Sequence, residues 1–154
     1  MMQFNGEAFL ATIRTGHIYY FKNDQLTNTI EPHYHIAMGT ITGSEIIFFC
    51  CTTKWGGRLA YITRNGLSLS TLVYIPPSGT NQLPEKSYVN CNDHFEIGVS
   101  KLKRLYEEGK IIIGGDVDEY IFEQIKTGVK DSDEVEGEIQ EIIKSSNYGV
   151  LLFP

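Results

Sequence analysis

An α+β fold is expected, a small antiparallel sheet or barrel with helices appended at its C-terminal end. Two patterns predict it. Short β-branched and aromatic runs separated by Gly, Pro, Asn and Asp fill the first two thirds of the chain, and capping signals followed by apolar residues at helical spacing fill the last third. At 154 residues the chain has the size of one ordinary domain and buries a core without staples. Hydrophobic residues at 42% and charged residues at 21% exclude a disordered or fibrous chain. One domain over 1–154 is therefore expected, with a barrel at 13–99, a helical extension at 100–146 and an apolar tail at 147–154.

The first strand is placed at Gly16-His17-Ile18-Tyr19-Tyr20-Phe21, an aromatic run stopped by Lys22-Asn23-Asp24. Pro32 biases Glu31 to extended geometry and so introduces a second strand, His33-Tyr34-His35-Ile36-Ala37-Met38. Thr42-Gly43-Ser44 separates it from the Phe-rich run at 45–53, and a connection that short makes an antiparallel hairpin. Residues 54–87 give a weaker signal, because Gly56-Gly57, Asn65-Gly66, Pro76-Pro77, Gly79 and Pro84 interrupt it. Within that segment 67–75 has strand character and the rest reads as loop; irregular chain of such length in a small domain is commonly functional. Two more strands are expected at 87–91 and 95–99.

Ser100 is read as the cap of a helix that Gly109 stops, and Ile111-Ile112-Ile113 as a short strand or connector. Asp116-x-x-Glu119 resembles a capping box for a helix with Val117, Ile121 and Ile125 on one face, ended by Gly128. Asp131-x-x-Glu134 opens a last helix with the stripe Val135, Ile139, Ile142 and Ile143. The tail Val150-Leu151-Leu152-Phe153 is expected to dock on its own sheet or on a second subunit.

No apolar stretch approaches the roughly 20 residues of a membrane-spanning helix; the longest, 46–51, is strand-sized. Residues 1–15 lack a basic region followed by an apolar run, so no signal peptide is expected, and a cytoplasmic location is. Cys50 and Cys51 point to opposite faces of a strand, so they are expected as small buried residues and not as a disulfide. Without a CxxC or HxxH spacing, no metal or other cofactor is expected. The net charge of −6 excludes a large non-specific nucleic-acid footprint. That charge is uneven, however. From Ser100 onward 12 acidic face 7 basic residues, against 7 and 6 before it, so the sheet region is nearly neutral and has room for a small anion site.

Three polar clusters fall at strand ends or in loops. His33 and His35, two apart, share a strand face and serve either as a solvent face or as a site. Thr52, Thr53 and Lys54 end the Phe-rich run ahead of Gly56-Gly57-Arg58, although threonine and lysine also suit an ordinary strand end. Arg64 and Asn65 precede Gly66, and Arg58 and Arg64 are either anion ligands or solvated loop cations. Trp55 is either a core residue, the better-supported reading, or a base-stacking platform. Asp93-His94 offers an acid beside a base in a stretch that also suits a turn.

The collinear order of segments carries further information: Gly16-His17-Ile18-Tyr19-Tyr20, then Pro32-His33-Tyr34-His35-Ile36, then Ile46-Ile47-Phe48-Phe49-Cys50-Cys51-Thr52-Thr53, then Leu83-Pro84-Glu85-Lys86-Ser87-Tyr88-Val89, then Ile97 and Leu102. This order resembles the MazF/PemK/Kid family of toxin ribonucleases, the Thr-ended strand and the Leu/Lys/Ser/Val segment matching best. His17 stands where the family carries an acid, and Glu31 or His33 falls near the family's catalytic arginine.

The resemblance implies an SH3-like barrel, a homodimer, and metal-independent cleavage of single-stranded RNA by attack of the ribose 2′-hydroxyl on the adjacent phosphate, restrained by a cognate antitoxin protein. It implies His33 as acid or base, Thr53 as hydroxyl donor, Arg58 or Arg64 as charge stabiliser, and His35, Thr52, Lys54 and Trp55 as substrate contacts. The alternative expectation is a non-catalytic barrel that binds a protein partner or nucleic acid on the same surface.

Overall fold

The run Ile46 to Cys51 is apolar at every position, a pattern suited to a strand covered on both faces. The computed structural model, which describes residues 5–153, provides both covers. The run lies in β3 (Glu45–Thr52), inside a sheet built with β1 (His17–Phe21), β2 (His33–Ile41), β4 (Leu72–Ile75), β5 (Ser87–Gly98) and β6 (Ile112–Asp116). The strand order is β4-β5-β3-β2-β1-β6, every neighbouring pair is antiparallel, and the sheet curls into a half-barrel. The α+β expectation holds.

On one face, Ile47, Phe49 and Cys51 pack beneath α4 (Glu119–Lys130) and α5 (Gly137–Lys144) through Phe122, Ile125, Val129, Ile139 and Ile143. On the other, Ile46 and Phe48 meet Phe9 of α1 (Gly6–Leu10), Leu102 of α3 (Val99–Glu107), Tyr19 and Phe21. The period-two alternation of β3 therefore feeds two separate cores. Cys51 and Cys91 are buried, Cys50 is half-buried, and all three are free thiols.

The hairpin between β2 and β3 forms where expected. Thr42 and Gly43 both take left-handed backbone, φ 50° and 73°, and the Ser44 N–H donates to the Ile41 carbonyl at 3.0 Å. The segment after β4 reaches across to β6. There the Asp116 N–H donates to the Thr80 carbonyl at 3.0 Å, and a Cβ on Gly115 would overlap that same carbonyl.

Five sequence expectations are corrected. Residues 54–66 are not loop but contain α2 (Trp55–Arg64). The strands expected at 87–91 and 95–99 are one strand, β5, and Asp93-His94 lies inside it and not in a turn. Cys51 pairs with Val89 and Phe49 with His94, so β5 advances from 89 to 94 while β3 goes from 51 to 49, and a bulge takes up the excess. The Asn90 side chain accepts from the Asn92 N–H at 3.1 Å inside that bulge, so the turn chemistry exists without a chain reversal.

The last three corrections concern helix starts. Asp116 ends β6, and Asp118 is the N-cap residue of α4, without a side-chain capping bond. Asp131 is the C-cap of α4, accepting from Ser70 Oγ at 2.8 Å, and α5 begins at Gly137. In both places a capping pattern was satisfied by another element. Ser100 likewise falls in the first turn of α3, after Gly98 at the N-cap.

The tail docks in cis. The Leu152 N–H donates to the Ile13 carbonyl at 2.9 Å, the Thr15 N–H donates to the Val150 carbonyl at 3.0 Å, and Leu152 and Phe153 pack against the α1/α3 core. Truncation after Tyr148 removes these bonds and that apolar cover, and is expected to cost about 3 kcal/mol, read as a lower urea midpoint. An unchanged midpoint would mean that the tail contacts carry no stability. Among the described residues, no helix is long and apolar enough to cross a membrane.

Candidate functional site

The site is assembled around the helix that the sequence reading left as loop. At its C-terminal end α2 closes through Asn65-Gly66: Gly66 has φ 66°, its N–H donates to the Thr63 carbonyl at 3.2 Å, and the Leu67 N–H reaches the Ile62 carbonyl at 3.0 Å. This is the paired 6→1 and 5→2 closure of a Schellman cap, and Asn-Gly was its visible signal. Ile62 is the buried residue that holds the helix down.

At its N-terminal end α2 is built differently. The N-cap Lys54 gives no side-chain capping bond, and no acid lies in the first turn. Gly56 and Gly57 stand in open space, with nothing within 4 Å of where a Cβ would be. First-turn N–H groups without a side-chain acceptor make an electropositive helix end, with the Lys54 ammonium added to it.

Lys54 and Arg58 border a groove of about 450 Å³ whose lining also includes His33, Thr52 and Thr53. These five come from the start of β2, the end of β3 and the start of α2, so antiparallel pairing of β2 with β3 brings them together. Arg58 also borders the small hollow beside Cys50, Thr52 and Asp93. The lining also carries the ring pair Tyr20 and Tyr34, centroids 4.5 Å apart, and two carboxylates, Glu31 and Glu85. Tyr20, Tyr34 and Glu85 were not singled out from the sequence; the period-two alternation that sets Tyr20 off from the core residues Tyr19 and Phe21 was the available signal.

His33 pairs with Phe21 at the end of the β1 ladder, past the last pair that β2 makes with β3, and is half-buried. Its Nδ1 lies 3.0 Å from the Glu31 carbonyl oxygen. A carbonyl only accepts, so Nδ1 carries the hydrogen and neutral His33 presents Nε2 as an open acceptor.

His35, two residues on, is no surface ligand. It is fully buried, stacked on Phe21 at 4.2 Å, and edge-on to Phe48 and Phe95. Its Nδ1–H donates to the His33 carbonyl at 2.9 Å, and Nε2 accepts from the buried Asn23 amide at 3.3 Å. Burial lowers its pKa to about 3, against a smaller raising effect of that backbone bond, so the ring is neutral. Asn23 in turn accepts from the Gln25 N–H at 2.9 Å, so His35 fixes the turn that leads to the groove residues Leu26, Asn28 and Thr29.

The structure also separates Trp55 and Arg64 from the groove lining. Trp55 is 42% exposed and not a core residue; its ring lies 4.6 Å from Tyr88, which is 5.3 Å from Tyr74. Arg64 sits in the last turn of α2, exposed. Cys50 borders the groove, but burial pushes its thiol up to about 12, which leaves no thiolate for nucleophilic attack at neutral pH.

His17, noted in the sequence for standing where an acid was expected, joins a second polar cluster. Its Nδ1–H donates to Asp116 Oδ1 at 2.7 Å, and Arg14 donates from Nε at 3.2 Å and Nη2 at 3.0 Å to the two Asp116 oxygens. Burial pushes the Asp116 carboxyl up, but the bonds from Arg14 and His17 outweigh it and hold its pKa low. Burial likewise keeps His17 below the usual histidine range. The cluster ties the 13–15 segment and β1 to the end of β6.

A larger cavity, about 760 Å³, lies between β4 and α4. Its lining offers Asp118 and Glu123 but no cation and no histidine, so of the two it is the smaller groove that presents cations to an anion. No protein-family model matches the chain, and no curated protein sequence matches it significantly.

Proposed function

We propose that the groove between β2, β3 and α2 cleaves single-stranded RNA without a metal, by attack of a ribose 2′-hydroxyl on its own 3′-phosphate. The observation that carries the proposal is the convergence of an imidazole, two hydroxyls and two cations in one groove. His33 Nε2 takes the proton from the 2′-hydroxyl as the new P–O bond forms. Arg58 and Lys54 stabilise the extra charge on the phosphoryl oxygens, and Thr52 or Thr53 donates to them. The bond to the 5′-oxygen breaks, that oxygen takes a proton from solvent in the open groove, and the products end in a 2′,3′-cyclic phosphate and a 5′-hydroxyl. Tyr20 and Tyr34 offer faces on which bases adjoining the scissile phosphate stack.

On this reading the half-barrel is an SH3-like barrel of MazF/PemK type, homodimeric and cytoplasmic, and a cognate antitoxin protein covers the groove. His33 in place of an arginine makes the mechanism one of proton transfer, since a guanidinium stays protonated in proteins.

The test is incubation of the purified chain with a panel of single-stranded RNAs in EDTA, with product ends analysed. Cleavage giving cyclic-phosphate ends, abolished by a single 2′-deoxy substitution at the cut site, is expected. Absence of cleavage across the panel would overturn the enzymatic reading, and RNA retained without cleavage would leave the non-catalytic binding barrel.

A further inference from the structure

We infer that His94, Glu96 and Glu136 form a binding site for a zinc-class divalent cation that clasps the loop before α5 onto strand β5. No spacing in the sequence announces it, because the third ligand is 40 positions from the second. None of the three residues lines the groove described above.

The geometry arises from three local facts. His94 and Glu96 are two apart on β5, opposite Phe49 and Ile47, so their side chains share one face, and His94 Nε2 lies 3.0 Å from Glu96 Oε2. Glu136 is delivered to that face by its neighbours, since Val135 and Ile139 are buried in the same core as Phe49 and Ile47. The approach is pinned a second time by Ser132, whose buried hydroxyl donates to Asn92 Oδ1 at 2.7 Å, two residues before His94.

One ligand atom from each of the three side chains then lies within 4.8 Å of the others. Bonds of about 2.0–2.2 Å to zinc place tetrahedral neighbours about 3.3–3.5 Å apart, so the His94–Glu96 edge is already near ligand spacing. Closing the rest takes a small swing of Glu136, which is exposed and free to make it. One imidazole with two carboxylates is a mixed nitrogen and oxygen set that suits zinc better than magnesium or calcium, which favour oxygen alone. Two carboxylates held this close repel each other, and a dication neutralises both while leaving a fourth position for water.

The experiment is titration of zinc into the untagged, metal-free full chain against a chromophoric chelator, with wild type, His94→Gln and Glu136→Gln compared. Glu136→Gln is the decisive variant, because an exposed side chain changes without disturbing the fold. One zinc per chain is expected, with affinity falling at least about tenfold in each variant. Cobalt substituted for zinc should give the visible absorption bands of a tetrahedral ion in wild type and lose them in His94→Gln. Failure of the wild type to take up zinc, or uptake equally tight in Glu136→Gln, would overturn the assignment.

Discussion

If the groove cleaves RNA as proposed, Arg58→Ala is expected to lower the rate by about 10²–10³-fold, the loss typical when one charge-stabilising donor is removed from a phosphoryl or acyl site. Arg58 is half-buried on the first full turn of α2 and borders both the groove and the hollow beside Thr52 and Asp93. Its truncation creates no core cavity, and the unfolding midpoint should stay within about 0.5 kcal/mol of wild type. His33→Ala should cost about 10²–10⁴-fold by removing the proton acceptor. Arg64→Ala supplies the control: it sits on the same helix, carries the same charge and lies outside the groove lining, so it should leave the rate within about threefold. Single-turnover cleavage of one labelled oligonucleotide compares all three. Equal losses in Arg58→Ala and Arg64→Ala would reduce the effect to general electrostatic attraction and remove Arg58 from the chemistry.

The contrast between these two arginines marks where the sequence stopped being legible. Runs of β-favouring residues bounded by turn signals placed β1, β2 and β3 correctly because each strand buries both faces, in two cores, and the shortness of Thr42-Gly43-Ser44 supplied the hairpin. The helix between them and β4 was missed because Gly56-Gly57 at its start and Asn65-Gly66 at its end both read as loop, although the second pair is a helix stop. Without α2, Arg58 and Arg64 look equivalent, as two cations in one loop. With it they are six residues apart on a helix, and one meets the groove while the other does not.

His33 and His35 failed to separate for a related reason. They share a strand face, as their spacing requires, but β3 pairs with His35 through Cys50 and offers His33 no partner. Burial differs because the pairing of β2 with β3 stops between them although β3 runs on to Thr52, and where a pairing stops is a tertiary fact. The capping-box patterns misplaced two helix starts by the same logic, since Asp116 was claimed by Arg14 and His17, and Asp131 by Ser70. A local motif states what a side chain can bond, and the fold decides with whom.

The buried imidazole has a consequence for stability in acid. His35 titrates at about 3 in the folded chain, against 6.5 when exposed. Between these values the unfolded chain binds a proton that the folded chain does not, so stability falls as pH falls, by about 1.4 kcal/mol per pH unit for one group. The loss begins near pH 6.5, and by pH 4.5 His35 alone should have removed about 2–3 kcal/mol, a large share of the 5–15 kcal/mol typical of a domain. His17, also lowered by burial, acts in the same direction, while the carboxylates of Asp116 and Asp24, held low by their partners, lose their contribution at still lower pH. Urea unfolding at a series of pH values measures the slope, and His35→Phe isolates the source. Phenylalanine keeps the ring on Phe21 but leaves the Asn23 amide without its acceptor, so the variant should be about 1–3 kcal/mol less stable at pH 7. Its stability should nevertheless decline less steeply between pH 6.5 and 4.5, by about one proton's worth of slope. A variant as acid-sensitive as wild type would assign the titration elsewhere, and the stacked, twice hydrogen-bonded ring would then not be the group whose protonation opens the sheet.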